Sequence, residues 1–153
     1  MPSGADELTP LINSLQGVLD NVSPAGRREL AKAIGRGLRA SQAARIKANI
    51  DPSGQAFEPR KPQNSIRQRK GSIRRKMFQK LIRMQWLKSK ATADEATVQF
   101  MGFAGRIART SQYGLRDRVR PGIEAQYPKR ELLGITDAER EQIENLILAQ
   151  LSK

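Results

Sequence analysis

An α+β fold is what this 153-residue sequence predicts. It reads as an N-terminal helical hairpin, a basic loop or arm, a small antiparallel β-hairpin or sheet, and a C-terminal amphipathic helix. Three observations carry the prediction. Apolar residues recur at helical spacing near both ends of the chain, a cationic stretch with two prolines interrupts the middle, and a period-two alternation follows it.

The elements follow in order. Thr9-Pro10 reads as the N-cap and first position of a helix, with Leu11, Ile12, Leu15, Val18 and Leu19 on one stripe. Asp20-Asn21-Val22 breaks it, and Ser23-Pro24 repeats the start signal. Leu30, Ile34, Leu38, Ala44 and Ile46 then mark a second, longer helix reaching about Asn49. Gly35-Arg36-Gly37 weakens it, since each glycine costs about 1 kcal/mol against alanine, and it lets a neighbour approach closely. The two helices form the antiparallel hairpin.

Asp51-Pro52-Ser53-Gly54 has the residues of a type I turn, and Gln55-Ala56-Phe57-Glu58 reads as a short extended piece. Pro59 to Gly71 holds a single large apolar residue, Ile66. Such a stretch buries too little surface to offset its ordering entropy, so residues 59–72 read as an exposed basic arm or loop of a single 1–153 domain. Ser72 caps a short helix over Ile73 to Ile82, with Ile73, Met77 and Leu81 on one face. From Met84 the period shortens to two, through Trp86, Lys88 and Lys90. Ala93-Asp94-Glu95 makes a turn, and Ala96 to Met101 a second strand. So small a sheet must pack on the helices or pair with a neighbouring copy. Phe103 to Gln112 reads as a short helix ending near Gly114, residues 115–135 as polar loop, and Thr136-Asp137-Ala138-Glu139 as a capping box. That box opens the terminal helix, with Ile143, Leu146, Ile147 and Leu151 facing inward.

The composition narrows the chemistry. There is no Cys and no His, which removes disulfides, thiol nucleophiles, Cys- and His-ligated metals and every imidazole base. The carboxylates Asp51, Glu58, Asp94, Glu95, Asp117 and Glu124 are not spaced as a set. No catalytic residue, cofactor or metal is expected. The chain begins without the basic-then-apolar pattern of a secretory signal and holds no run of membrane-span length. The expectation is a soluble protein that stays in a cytoplasm or in a particle assembled there.

Charge points to a partner. The formal net charge is +13, and between Glu58 and Asp94 twelve basic residues occur with no acidic one. The remaining 16 basic and 15 acidic residues nearly cancel. The candidate DNA- or partner-binding residues are Arg60, Lys61, Arg67, Arg69, Lys70, Arg74, Arg75 and Lys76. Such a block suits phosphates, through counterion release, or an acidic protein surface; its bland reading is a solvated face. Phe78 and Trp86 are its only rings and read as core. Base stacking and sequence-specific readout therefore lack support, while non-specific contact with duplex DNA stays open. The ten residues from Ile73 to Ile82 offer little apolar area to a membrane, and none is expected as a partner.

Three ordered stretches add a resemblance. Asp51-Pro52-Ser53-Gly54-Gln55-Ala56-Phe57, then Ala108-Arg109-Thr110-Ser111-Gln112-Tyr113-Gly114, then Tyr127-Pro128-Lys129-Arg130-Glu131-Leu132-Leu133-Gly134 run into the capped terminal helix. This order resembles the phage virion morphogenesis family, the tail completion proteins of contractile-tailed temperate bacteriophages. Relatives often carry a histidine where this chain has Ser111. The resemblance implies a non-enzymatic structural protein of the virion neck, made in the host cytoplasm. It would act at the head-proximal end of the tail in tail completion and head–tail joining. It further implies a homo-oligomeric six-fold ring around the DNA channel, with neighbouring tail and connector proteins as partners. Tyr113, Arg116, Tyr127 and Arg130 are the candidate oligomer or partner interface, because Tyr and Arg are enriched there. The rival reading is a small non-sequence-specific nucleic-acid-binding protein.

Overall fold

The computed structural model describes residues 22–60 and 77–153. The first expected helix and its hairpin partnership lie outside the described residues, as do positions 61–76 of the arm and of the helix expected after it.

Helix α1 (Pro24–Lys47) is the spine. Ser23 Oγ accepts from the Gly26 N–H at 3.1 Å, and Pro24 stands at the first position, as the sequence signal requires. The helix is about 36 Å long at about 1.5 Å per residue. Its buried face is Leu30, Ala31, Gly35, Leu38, Gln42 and Ile46. Ala44, expected on that face, is exposed, and Gln42 takes the inward position. Gly35 earns its place: a Cβ there would stand 3.3 Å from Ser89 Cβ, so the strand passes close, whereas Gly37 faces open space.

Strands β1 (Leu87–Ala91) and β2 (Ala96–Phe100) pair antiparallel from Leu87↔Phe100 to Ala91↔Ala96 and lie on α1. Thr92 Oγ1 accepts from the Asp94 and Glu95 N–H groups and sets the turn between them. Helix α2 (Phe103–Tyr113) stops at Gly114, whose φ of 64° is the left-handed cap the sequence announced. Helix α3 (Asp137–Leu151) opens with both hydrogen bonds of the capping box, between Thr136 and Glu139. The α+β class and the order of its elements are as predicted.

Two expectations are corrected. Residues 115–135 are not all loop: β3 (Arg116–Arg120) and β4 (Ile123–Gln126) form a second antiparallel hairpin around Pro121-Gly122, with a bulge at Val119. Most of its residues face water, so no apolar alternation marked it. Residues 77–82, the described part of the expected Ile73–Ile82 helix, are turns. Phe78 has φ 65°, which no right-handed helix accommodates, and its ring packs edge-on against Phe57 at 5.7 Å. Met77 and Leu81 are nonetheless buried.

Two apolar clusters share α1. Ile46, Phe57, Met77, Ala108 and Leu132 gather at its C-terminal end. Leu30, Leu38, Ile143 and Ile147 gather along the rest. Helix α3 runs antiparallel to α1, its Glu139 accepting from Ser41 Oγ at 2.8 Å and its Gln150 reaching Gly26.

Glu139 is fully buried and serves both the Thr136 cap and α1. Thr136→Ala is expected to lower unfolding free energy by about 1 kcal/mol, the usual worth of a cap. Glu139→Ala should cost about 3 kcal/mol, because it strips acceptors from Ser41, Gln42 and the Thr136 N–H at once. Urea midpoints at unchanged m-value check both.

Candidate assembly surface

Helix α2 wears its bulk outward. Its buried positions are small, namely Ala104, Ala108, Thr110 and Ser111. Its large side chains face solvent, with Phe103 56% and Tyr113 62% exposed and Ile107 also open. Small residues inside let the helix sit close on β2, where a Cβ on Gly105 would stand 3.1 Å from the Phe100 carbonyl. Phe103 and Ile107, four residues apart, form an exposed apolar edge along the helix. Phe103 meets Trp86 edge-on with ring centroids 4.4 Å apart, so Trp86 supports this outer patch instead of filling a core.

The β3–β4 hairpin continues the surface. Arg106 and Asp117 pair between α2 and β3, and Thr110 Oγ1 also approaches the Asp117 carboxylate. Gln126 Nε2 donates to the Gly114 carbonyl at 2.6 Å, and the Tyr127 N–H to the Leu115 carbonyl at 3.0 Å. Beyond these anchors Arg116, Arg118, Arg120, Val119 and Ile123 are all exposed. The Arg106 guanidinium, by hydrogen bond and charge together with the Arg118 N–H, holds the Asp117 carboxyl below the usual carboxylate range.

On the other side of α2 an apolar groove of about 600 Å³ runs between β2, α2 and residues 133–135, with Leu38 and Gln42 among its lining residues. Among the described strands β2 pairs with β1 alone. Gln42 Oε1 is buried with no hydrogen-bond partner among the described residues.

The predicted site residues fall in different places. Arg60 is exposed, while Lys61, Arg67, Arg69, Lys70, Arg74, Arg75 and Lys76 lie outside the described residues. Lys88 and Lys90, from the same basic run, stand exposed on β1, so part of that charge belongs to the folded body. Tyr113 is exposed at the groove side of α2, Arg116 is exposed on β3, and Tyr127 is half-buried after β4. Arg130 is different: it is buried and donates to the carbonyls of Glu58 and Pro59 at 2.7 and 3.2 Å. Burial pulls its pKa down, with Glu58 acting in the opposite sense. Arg130 thus pins the chain where the arm begins. Arg118 and Arg120 of β3, which no apolar alternation singles out in the sequence, are exposed on the same hairpin as Arg116.

The three stretches that carried the resemblance meet at one junction. The Gln112 side chain accepts from the Leu132 and Leu133 N–H groups and donates to the Leu133 carbonyl. The Arg130 N–H donates to the Ser111 carbonyl at 2.7 Å. A Cβ on Gly134 would lie 2.6 Å from Pro52 Cγ, and one on Gly114 3.0 Å from the Lys129 nitrogen. These residues build a scaffold; among the described residues no three Asp or Glu side chains converge as metal ligands would.

The three stretches thus form one scaffold, with the exposed Phe103 and Ile107 of α2 beside it. The chain belongs to the phage virion morphogenesis family, whose model matches residues 6–152. It is 38% identical over 141 residues to the tail completion protein S of Escherichia phage P2, covering 91% of this chain and 93% of that relative. No solved structure matches it significantly.

Two outcomes are expected. The Asp117 carboxyl, followed by NMR titration, should protonate below the ordinary value of about 3.9. Its stabilising effect on the hairpin is then present above that value and fades as pH falls through the depressed one. Arg106→Gln should move the inflection back up. Arg130→Ala should lower stability by about 2–3 kcal/mol, since two carbonyls lose a charged donor, with Arg130→Lys recovering part of it in urea unfolding.

Proposed function

We propose that this chain is a non-enzymatic tail completion protein. In this reading it acts in the virion neck, at the head-proximal end of a phage tail, as a homo-oligomeric six-fold ring around the DNA channel. It joins neighbouring tail and connector proteins there, after assembly in the host cytoplasm. One observation carries the reading: a member of a virion morphogenesis family keeps Phe103 and Ile107 exposed along one side of α2 while Ala104 and Ala108 fill its inner face. A face of that kind is satisfied by protein–protein contact. The name of the phage P2 relative gives the tail as the setting.

The whole chain works as one domain, with residues 59–72 as a basic arm. The Arg130 clamp on Glu58 and Pro59 supports that division, because it fixes the root from which the arm leaves. The charges from Arg60 to Lys76 attract either DNA phosphates or an acidic neighbour over a Debye length of about 8–10 Å.

A second reading, non-specific DNA binding, is favoured by Lys88 and Lys90, which extend the cationic surface onto β1. Native mass spectrometry with a DNA titration separates the two. The assembly reading expects oligomers that grow with protein concentration and weak DNA association. The binding reading expects a monomer that holds duplex tightly, with log K falling against log salt by about 0.9 per phosphate contacted. Charge reversal at Arg67, Arg69, Arg74 and Arg75 should impair head–tail joining; normal joining would show the arm to be dispensable.

A further inference from the structure

The basic and acidic residues outside the Glu58–Asp94 interval nearly cancel in number, yet the fold separates them. From Phe103 to Gln126 five arginines, Arg106, Arg109, Arg116, Arg118 and Arg120, meet only Asp117 and Glu124. All five are exposed, and Asp117 is turned toward Arg106. Helix α3 has the opposite balance. Asp137, Glu141 and Glu144 fall at i, i+4 and i+7, and Leu148 at i+11, so the four form one stripe of the helix. Leu148 is 57% exposed. The one base of α3, Arg140, is half-buried.

We propose that these are the two halves of one contact. The α3 stripe of a second copy of this chain docks against the outer side of the β3–β4 hairpin. The proposal rests on the assembly reading above and names the surfaces it uses. Charge is complementary between the two elements. Arg116 and Arg118, two apart on β3, share one face of the hairpin, with Glu124 opposite Arg118, while the bulge at Val119 turns Arg120 to the other face. Each ladder ends in exposed apolar groups, Leu148 on the helix and Val119 with Ile123 on the hairpin. Within one copy the two ladders do not meet. Helix α3 lies on the Leu30–Leu38 part of α1, while the hairpin hangs from α2, which packs at the Ile46 end. In a ring the contact is heterologous, each copy offering its hairpin to one neighbour and its helix to the other.

A charge swap tests it on the full chain. One variant carries Arg116→Glu and Arg118→Glu, the other Glu141→Arg and Glu144→Arg. Circular dichroism and urea midpoints establish that both remain folded. Sedimentation velocity at low salt should show self-association weakened about tenfold or more in each variant alone. Mixing the two restores it, because each mutated ladder then faces an oppositely charged partner. Leu148→Ser, which alters no charge, should weaken association as well. Wild-type oligomers that persist in both variants, or a mixture that fails to recover, overturn this contact and leave the ring reading standing. A wild-type chain that stays monomeric at high concentration overturns the ring reading and this contact together.

Discussion

One ridge of α1 holds the molecule together through hydrogen bonds to backbone carbonyls. Arg39 donates to the carbonyls of Leu87 and Ile82, at 2.7 and 2.9 Å. Gln42 donates to Gly134 at 3.0 Å, and Arg45 to Ile50 and Leu132 at 3.0 and 2.6 Å. These carbonyls belong to irregular segments or to the start of a strand, where no ladder or helix would satisfy them. A buried carbonyl left without a donor costs roughly 1–3 kcal/mol, so connections of this kind need side-chain donors to stay packed. The small sheet, the turn after α1 and the approach to α3 are thus positioned by one helix. Burial lowers the Arg45 pKa, and Glu139, Asp51 and Glu131 act against that, so the charge remains where it is used.

That arrangement explains which parts of the fold were legible in the sequence. Local rules sufficed for α1, with Ser23-Pro24 at its start, for α3 with its capping box, and for α2 with Gly114 at its end. They sufficed again for Asp51, whose carboxylate accepts from the Ser53 and Gln55 N–H groups and shapes the expected turn. They failed where tertiary contacts decide. Met77 and Leu81 are spaced for a helix, but the Phe57–Phe78 contact and the Asn49 side chain accepting from the Met77 N–H fit turns instead. The β3–β4 hairpin failed for the opposite reason: a strand wet on most of its positions has no period to read.

For the candidate interface residues the sequence shows which residue types are present but not which of them face outward. Tyr113 and Arg116, which the family-like stretch and the enrichment of Tyr and Arg at interfaces single out, are exposed, but Arg130, singled out on the same grounds, is a buried clamp. Residue type alone does not distinguish an arginine that binds a neighbour from one that binds its own backbone. Net charge was misleading in a related way. Averaged along the chain, the body is close to neutral; in space it is divided, with arginines on β3 and carboxylates along α3.

Glu139 joins two kinds of order that usually fail separately. The end of a helix ordinarily frays on its own, exchanging its amide protons long before the rest of the protein opens. Here the carboxylate that closes the first turn of α3 is also held by Ser41 and lies within reach of Gln42. Loosening that turn means loosening the middle of the spine. The N-terminal amides of α3 are bound into the same cooperative unit as residues 41–42, and the terminal helix has no private route to unfolding at that end.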